Sequence, residues 1–276
     1  MELCRMGLTL KPIISSGVPE SARALFWEVF FASRGRGIDL ATHFPWLACD
    51  ESVFCIEFIN PEAENETLAA LVVRSLDNGS GNAIGLVGLV CVAEQWRGKG
   101  LASRLMARAV EFAESENLAA LVLWTQKPEV YVNQGFVTDQ EDRFGSVECA
   151  LDQPVKLAYT THDWPDSASR STRGLPPFAV SGQVISSEKA RLVVLASHNG
   201  LTVAEWDGHS KDVIELMMAC LPARWSLNSA QDDPLIAELE KSGLALNLQP
   251  AAVRMVKYLS GRTAVKLPNI KFLDRV

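Results

Sequence analysis

Glycines and basic residues between positions 95 and 104 are the first feature of this sequence that suits a chemical function. Two glycines one residue apart permit a tight turn whose successive backbone N–H groups point into one concavity. A helix that begins directly after such a turn adds the positive end of its dipole, and the whole suits a pyrophosphate. A helix start with a solvated basic face is the alternative interpretation. The segment is Gln95-Trp96-Arg97-Gly98-Lys99-Gly100-Leu101-Ala102-Ser103-Arg104.

The residues on either side of this loop predict the strand and the helix that position it. Ala83–Val92 is an apolar run without strict alternation, which is typical of a strand covered on both faces. Gly85 and Gly88 interrupt the run, and glycines within a strand mark a bulge or allow a backbone or a ligand to approach closely. After the loop, apolar residues recur at helical spacing at Leu101, Leu105, Met106, Ala109 and Phe112.

The spacing of the loop residues excludes two common phosphate-binding motifs. The segment contains neither the Gly-x-x-x-x-Gly-Lys-Ser/Thr pattern nor the Gly-x-Gly-x-x-Gly pattern. Gln95-x-x-Gly98-x-Gly100-Leu101-Ala102 instead resembles the coenzyme A loop of the GNAT superfamily of acyl-CoA-dependent N-acyltransferases. Further along, Tyr131-Val132-Asn133-Gln134-Gly135-Phe136 is similar to that family's Tyr-x-x-x-Gly-Phe motif. The resemblance covers residues 83–136.

This resemblance implies roles for particular residues. It implies that acetyl-CoA is the acyl donor, with its pyrophosphate on the loop amides and its pantetheine arm along the preceding strand. It makes Tyr131 the general acid that protonates the coenzyme A thiolate, with a core tyrosine as the alternative. Glu57 and Glu94 are candidate general bases, with a solvated or structural carboxylate as the alternative for each. The implied donor-binding residues are Val90, Cys91, Val92, Gln95, Trp96, Arg97, Gly98, Lys99, Gly100, Leu101, Ala102, Ser103 and Arg104.

Periodicity along the N-terminal part agrees with the fold that the resemblance implies. That fold is of the α/β (α+β) class, a mixed and mostly antiparallel sheet that is flanked by helices and splayed to admit the pantetheine arm. One helix is predicted to end near residue 32. Two further helices are predicted at residues 38–44 and 130–134. Strands are predicted near residues 8–14, 53–59, 68–76 and 118–124, and within residues 147–160.

The remaining chain is interpreted as a second, degenerate GNAT-like domain. We expect a catalytic domain at residues 1–160, a serine- and proline-rich linker at 161–177, and the second domain at 178–276. Residues 207–212 lack the glycine spacing of the coenzyme A loop. Residues 239–244 carry leucine where the tyrosine would stand. This domain is expected to shape the acceptor site or an oligomer interface, so a homodimer is compatible with it; a separate interaction module is the alternative.

Composition sets limits on partners and location. The formal net charge is -7, which gives no reason to expect binding to nucleic acid or to an anionic membrane. Six scattered cysteines and four histidines show no metal-ligand spacing, so we expect reduced thiols, no metal and a cytoplasmic protein. Met1 is not followed by a signal-peptide core, and no apolar run reaches the length of a membrane span.

The acceptor is the least constrained partner. The negative net charge favours a cationic amine. Arg34 and Arg36, in the loop that lies over the acceptor site in the family, favour an amine that carries a carboxylate, and solvated loop arginines are the alternative. The family resemblance implies an N-acetyltransferase in which a primary amine of a small molecule or peptide attacks acetyl-CoA directly. The alternative function is a non-catalytic acyl-CoA-binding sensor or scaffold.

Overall fold

The structure is a computed structural model that describes residues 10–49, 51–77, 83–149, 155–166, 172–259 and 267–276. These residues form a single mixed sheet with helices packed on its faces. The predicted first strand, residues 8–14, begins outside the described residues. Within the described residues, the first strand starts at residue 13.

Twelve strands and seven α-helices are present in the described residues. The strands β1 to β12 are Ile13–Ser16, Val53–Asn60, Ala63–Asp77, Ala83–Val92, Ala120–Thr125, Val137–Glu148, Thr160–Trp164, Ser181–Ser186, Ala190–Ser197, Gly200–Gly208, Arg224–Ala230 and Ala245–Tyr258. The helices α1 to α7 are Glu20–Phe30, Leu40–His43, Trp46–Cys49, Leu101–Ser115, Glu129–Val132, Ser210–Cys220 and Pro234–Lys241.

The strand order shows that the two halves of the chain exchange strands. The order is β1-β2-β3-β4-β5-β12-β6-β11-β10-β9-β8-β7. The last strand of the second half, β12, thus lies between β5 and β6 of the first half, and β6 in turn separates β12 from β11. The β4–β5 and β10–β11 pairs are parallel and the other neighbours are antiparallel. The α/β class and the mostly antiparallel sheet flanked by helices are confirmed.

The exchange bears on the predicted division of the chain, which stays a prediction. The sheet is continuous across the proposed boundaries at residues 160 and 178. The predicted linker 161–177 begins inside β7, which pairs with β8. Near the end of the predicted second domain, β12 is one continuous strand with a register shift between Pro250 and Val253.

The last strand of the N-terminal half was predicted within residues 147–160, but β6 occupies residues 137–148. Its sequence, rich in acidic residues, has little apolar periodicity. Strand formation there rests instead on backbone pairing to β11 on one side and β12 on the other. A long-range partner therefore decides a strand that local sequence does not.

Helices cover both faces of the sheet in the N-terminal half. The predicted apolar stripe of α4, from Leu101 to Phe112, is buried against β2, β3 and β4. On the opposite face, α1 and the short helices α2 and α3 enclose a second core that includes Phe26, Phe31 and Trp46. Burial of these large side chains contributes about 1.5–3 kcal/mol each to the free energy of folding.

The C-terminal half is covered less completely. Helices α6 and α7 pack on one face, in a core that includes Trp225 and Leu227. Between β7 and β8, the described residues 165, 166 and 172–180 contain no helix equivalent to α1. Part of the other face is covered by the 3-10 turn Phe272–Asp274, whose Leu273 packs with Trp164 and Leu195.

Candidate functional site

A bulge in β4 lies at the point where β4 and β5 separate. The two parallel strands pair at Gly85 and Leu86. Two residues of β4, Leu89 and Val90, then stand opposite the single residue Leu71 of β3, and Leu89 has a φ of 51°. This local irregularity turns the rest of β4 away from β5 and opens the sheet. The glycine-interrupted run thus forms the bulged strand that was one of its predicted interpretations.

The predicted glycine loop follows β4 directly and has the backbone that an anion site needs. A 3-10 turn at Glu94–Trp96 leads into Gly98 and Gly100, whose φ values of 75° and 76° are left-handed. An added Cβ at either glycine would meet no atom within 4 Å, so both glycines border open space. Gly100 is the N-cap of α4, and no side chain caps this helix. The first N–H groups of α4 are therefore free of a capping side chain.

Basic side chains surround this loop. Lys99 lies over the ring of Trp96, with Nζ 4.1 Å from the ring centroid, and both Arg97 and Lys99 are exposed. The Arg97 side chain donates to the Val92 carbonyl at 3.3 Å. Arg104 donates to the Leu10 carbonyl and lies over the Phe58 ring. These contacts hold cations at the rim of the loop.

The other predicted donor-binding residues occupy different surroundings. Gln95 is exposed and its side chain lies 3.5 Å from Glu66, while Ser103 is exposed on the first turn of α4. Leu101 is buried beneath the loop, and Ala102 is half-buried. Any part these side chains play in donor binding stays a prediction.

A cavity of about 360 Å³ lies beside the opened sheet. Val87 to Val90 of β4 and Leu123 and Trp124 of β5 form one part of its wall. Tyr131 of α5 also lines it, and the remaining wall comes from the α1–α2 region, residues 174–177 and residues 272–276. An added Cβ on Gly88 would lie 2.5 Å from Val276, so residue 276 is packed against the bulged strand.

Tyr131 is held at this cavity by the short helix α5 and the turn that follows it. Its backbone N–H donates to the Pro128 carbonyl at 2.9 Å, and its ring packs edge-on against buried Phe136 at 6.1 Å. Burial raises the pKa of the Tyr131 phenol. A raised pKa keeps the proton on the phenol, as a general acid requires. The Tyr-x-x-x-Gly-Phe spacing therefore brings a protonated phenol to the cavity beside β4.

The candidate general bases lie elsewhere. Glu57 of β2 is buried and accepts a 2.7 Å hydrogen bond from Thr67, and Glu94 is exposed beside the loop. Neither lines the cavity that contains Tyr131, and no carboxylate side chain of the described residues does. A role for either residue as general base stays a prediction.

Cys91 is the thiol on β4. Burial is the main cause that raises the pKa of its thiol, to about 12. A thiol with such a pKa is protonated near neutral pH and is a poor nucleophile. This agrees with the expectation of direct attack by an amine rather than transfer through an acyl-enzyme.

His43 is a cavity residue that sequence patterns did not single out. Its Nε2 accepts from the Ile38 N–H at 2.9 Å, so Nδ1 carries the proton and donates to the Leu175 carbonyl at 2.7 Å. Both ring nitrogens are thus occupied, and burial lowers the pKa of this histidine. His43 joins the loop before α2 to the segment at residue 175, which is also held by a 3.0 Å bond from the Leu175 N–H to the Thr42 carbonyl.

An ion pair between the two halves of the chain was likewise not predicted from the sequence. Arg275 donates to both carboxylate oxygens of Asp142, with 3.2 Å for one of the two bonds. Its guanidinium also lies over the Trp124 and Phe272 rings, at 4.7 and 5.3 Å. Asp142 is 2% exposed and sits on β6, far from residue 275 in sequence, so no local motif marks the pair.

The described residues contain neither a membrane-spanning helix nor a metal-binding cluster of side chains. No helix in the described ranges has the length and apolarity needed to cross a membrane. No group of three or more His, Cys, Asp or Glu side chains suitable for a metal ion was found among the residues that the structure describes.

Comparison with known proteins gives one family match, in the N-terminal half of the chain. Residues 20–136 match the model of the acetyltransferase (GNAT) family. That segment contains β4, the glycine loop, α4 and Tyr131. No curated protein matches the sequence.

Solved structures share the fold over most of the chain at low sequence identity. A probable N-acyltransferase from Enterococcus faecalis V583 has a TM-score of 0.64 at 9% identity, covering 90% of this chain and 73% of that one. A GCN5-related N-acetyltransferase from Kribbella flavida has a TM-score of 0.59 at 14% identity, covering 91% and 71%. A tandem GNAT protein from the clavulanic acid biosynthesis pathway has a TM-score of 0.57 at 12% identity, covering 93% and 100%.

Proposed function

Because residues 20–136 match the model of the acetyltransferase (GNAT) family, we propose that this protein transfers an acetyl group from acetyl-CoA to a primary amine of a small molecule or peptide. The observation that supports the proposal is that Tyr131 and the bulged part of β4 line one cavity. The glycine loop follows β4 directly in the chain. Thioester and phenol would therefore meet at the place where the sheet opens.

The loop fits the diphosphate of the donor on three counts. Its two left-handed glycines leave open space, the helix N-terminus has no side-chain cap, and Arg97 and Lys99 stand at its rim. Backbone N–H groups and a helix N-terminus stabilise anions without any specific side chain. We assign the pyrophosphate to the amides of residues 97–102, and the pantetheine arm to the edge of β4 at Val90, Cys91 and Val92.

Acyl transfer needs one bond formed and one broken. The amine nitrogen bonds to the thioester carbonyl carbon, the carbon–sulfur bond breaks, and the departing thiolate takes the proton of the Tyr131 hydroxyl. The amine in turn loses a proton. Because no carboxylate side chain of the described residues lines this cavity, that proton would leave to water.

Replacing Tyr131 by phenylalanine tests the acid role. Removal of a general acid typically costs about 10²- to 10⁴-fold in rate. We expect Tyr131→Phe to lower kcat by about that much while the acetyl-CoA Kd from calorimetry changes little, because only the hydroxyl is lost. Tyr159→Phe, at an exposed tyrosine outside the cavity, is the matched control. An unchanged kcat in Tyr131→Phe would exclude the acid role.

One observation favours a second candidate, a non-catalytic acyl-CoA-binding sensor or scaffold. The cavity offers a phenol but, within the described part of the chain, no carboxylate side chain to accept the proton of an amine. The same assay separates the candidates when free thiol is measured over a panel of amines. Tight binding of acetyl-CoA without thiol release on any amine favours the sensor.

A further inference from the structure

A second, larger cavity lies against the part of the sheet that the C-terminal half leaves uncovered. Its volume is about 900 Å³. The floor is formed by β10, β11, β6 and β12, through residues that include Thr202, Asn228 and Gln249. The loop at residues 35–37 from the N-terminal half and the segment at residues 177–180 also line it. The cavity exists because no helix between β7 and β8, in the described residues, fills this face.

The second cavity adjoins the one that contains Tyr131. Pro177, Phe272 and Arg275 line both cavities. Arg36 lines only the second and Tyr131 only the first. A molecule whose amine reaches Tyr131 while its other end lies in the second cavity therefore needs several bonds between its two ends.

The charges that line the second cavity favour an anionic group on that molecule. Among the described residues that line this cavity, Asp142 is the one with a carboxylate side chain. Arg275 already donates hydrogen bonds to both oxygens of that carboxylate. Arg36 uses its Nε to donate to the Phe30 carbonyl at 3.1 Å and forms no ion pair among the described residues. Its terminal nitrogens are thus available to a ligand carboxylate, which a guanidinium binds with two parallel hydrogen bonds.

The wall of the second cavity also contains solvent-exposed apolar side chains. Phe144, Phe178 and Val180 are 45%, 37% and 43% exposed, and all three line this cavity. Large side chains exposed together in a concave site are typical of ligand binding. Amide side chains, among them Asn228 and Gln249, add donors and acceptors suited to peptide groups.

We propose that the second cavity is the acceptor site, and that the acceptor is a short peptide with a free N-terminal amine, an aromatic side chain and a free terminal carboxylate. The carboxylate binds Arg36, the aromatic side chain packs on Phe144, Phe178 and Val180, and the amine enters the cavity beside Tyr131. This inference rests on the proposed function and adds the class of acceptor to it.

The test compares peptides with and without the terminal carboxylate, and with and without aromatic side chains. The probes are Ala-Phe-Phe, its C-terminal amide, and Ala-Ala-Ala, each with acetyl-CoA and the full-length protein. A charged pair with a guanidinium is worth about tenfold in affinity. We therefore expect the acid to have about a tenfold lower KM than the amide, and Ala-Ala-Ala to have a higher KM than Ala-Phe-Phe.

Two arginines of the same loop provide a matched pair of variants. Arg36→Gln should abolish the preference for acid over amide, whereas Arg34→Gln, which removes the same charge outside the cavity wall, should keep it. Phe178→Ala should narrow the difference between Ala-Phe-Phe and Ala-Ala-Ala. Equal KM values for acid and amide in the unmodified protein, or equal losses in the two arginine variants, would overturn the proposal.

Binding separates this inference from the proposed function. If no peptide releases thiol, the same three peptides are titrated calorimetrically into the protein saturated with coenzyme A. Binding that prefers the acid and depends on Arg36 supports the site while refuting acyl transfer. Absence of binding, or binding without that preference, refutes the site itself.

Discussion

Gly100 offers the sharpest test of the loop because its backbone, and not its surroundings, requires glycine. Its φ is 76°, in the left-handed region, and an added Cβ would meet no atom within 4 Å. Gly100→Ala therefore introduces no clash and costs only the conformational penalty of a side chain in that region, about 1–2 kcal/mol. If donor binding requires this conformation, the free variant relaxes and the penalty appears on binding.

That penalty converts into a measurable loss of affinity. At 1.4 kcal/mol for each factor of ten, Gly100→Ala should weaken acetyl-CoA binding about 5- to 30-fold. Isothermal titration calorimetry of the purified protein with acetyl-CoA measures the change. The unmodified protein and Gly100→Ala are compared under the same salt, because screening weakens phosphate contacts.

Gly243 provides a matched control in the other half of the chain. Its φ is 81°, an added Cβ there also meets nothing within 4 Å, and it follows α7, outside the glycine loop. Gly243→Ala therefore carries the same backbone penalty without touching the loop. The reasoning is refuted if Gly100→Ala binds acetyl-CoA as tightly as the unmodified protein, or if both variants weaken binding equally.

Two further predictions concern the walls of the cavity. Gly88→Ala places a Cβ 2.5 Å from Val276, so the segment near residue 276 must move. Steady-state kinetics should then show a lower kcat, with a smaller change in the acetyl-CoA Kd. Unchanged kinetics would contradict the packing of residue 276 against β4. His43 has a lowered pKa because of burial, so its contribution to stability is present above its unfolded pKa near 6.5 and is lost as pH falls. Denaturant unfolding between pH 7 and pH 5 should therefore show a shallower fall for His43→Gln than for the unmodified protein, and parallel curves would argue against a buried neutral histidine.

The N-terminal half shows how far local sequence leads. Positions from Ala83 to Phe112 carry apolar runs, glycines and helical periodicity, and each property depends on residues close in the chain. The structure accordingly has the strand, the open glycine turn and the helix in the predicted order. Tyr131 lies at the cavity for the same reason, because a short helix and Gly135, with φ 82°, fix the turn next to it.

Features that depend on distant parts of the chain were not predictable in this way. The position of β12 between β5 and β6 is set by pairing with strands that lie far earlier in the sequence, Ala120–Thr125 and Val137–Glu148. The same holds for the Arg275–Asp142 pair and the bond from His43 to the Leu175 carbonyl. A single sequence contains the partners of such contacts but not the information that they meet.

The open face of the C-terminal half is another feature that local sequence does not predict. Sequence indicated that residues 207–212 lack the glycine spacing, and the structure gives Asp207 ion pairs with Arg191 and Lys271. An acidic, paired residue at that position is unsuited to a phosphate site. The sequence did not indicate that the face beside β10 and β11 is a cavity, or that this cavity adjoins the one containing Tyr131, because both depend on the strand exchange.

The most direct test of the central claim is the structure of the protein with acetyl-CoA bound. We expect the diphosphate to lie within hydrogen-bond distance of the backbone N–H groups between Arg97 and Ala102. We also expect the thioester sulfur about 3–3.5 Å from the Tyr131 hydroxyl. A diphosphate bound elsewhere, or a sulfur beyond the reach of that hydroxyl, would contradict that claim.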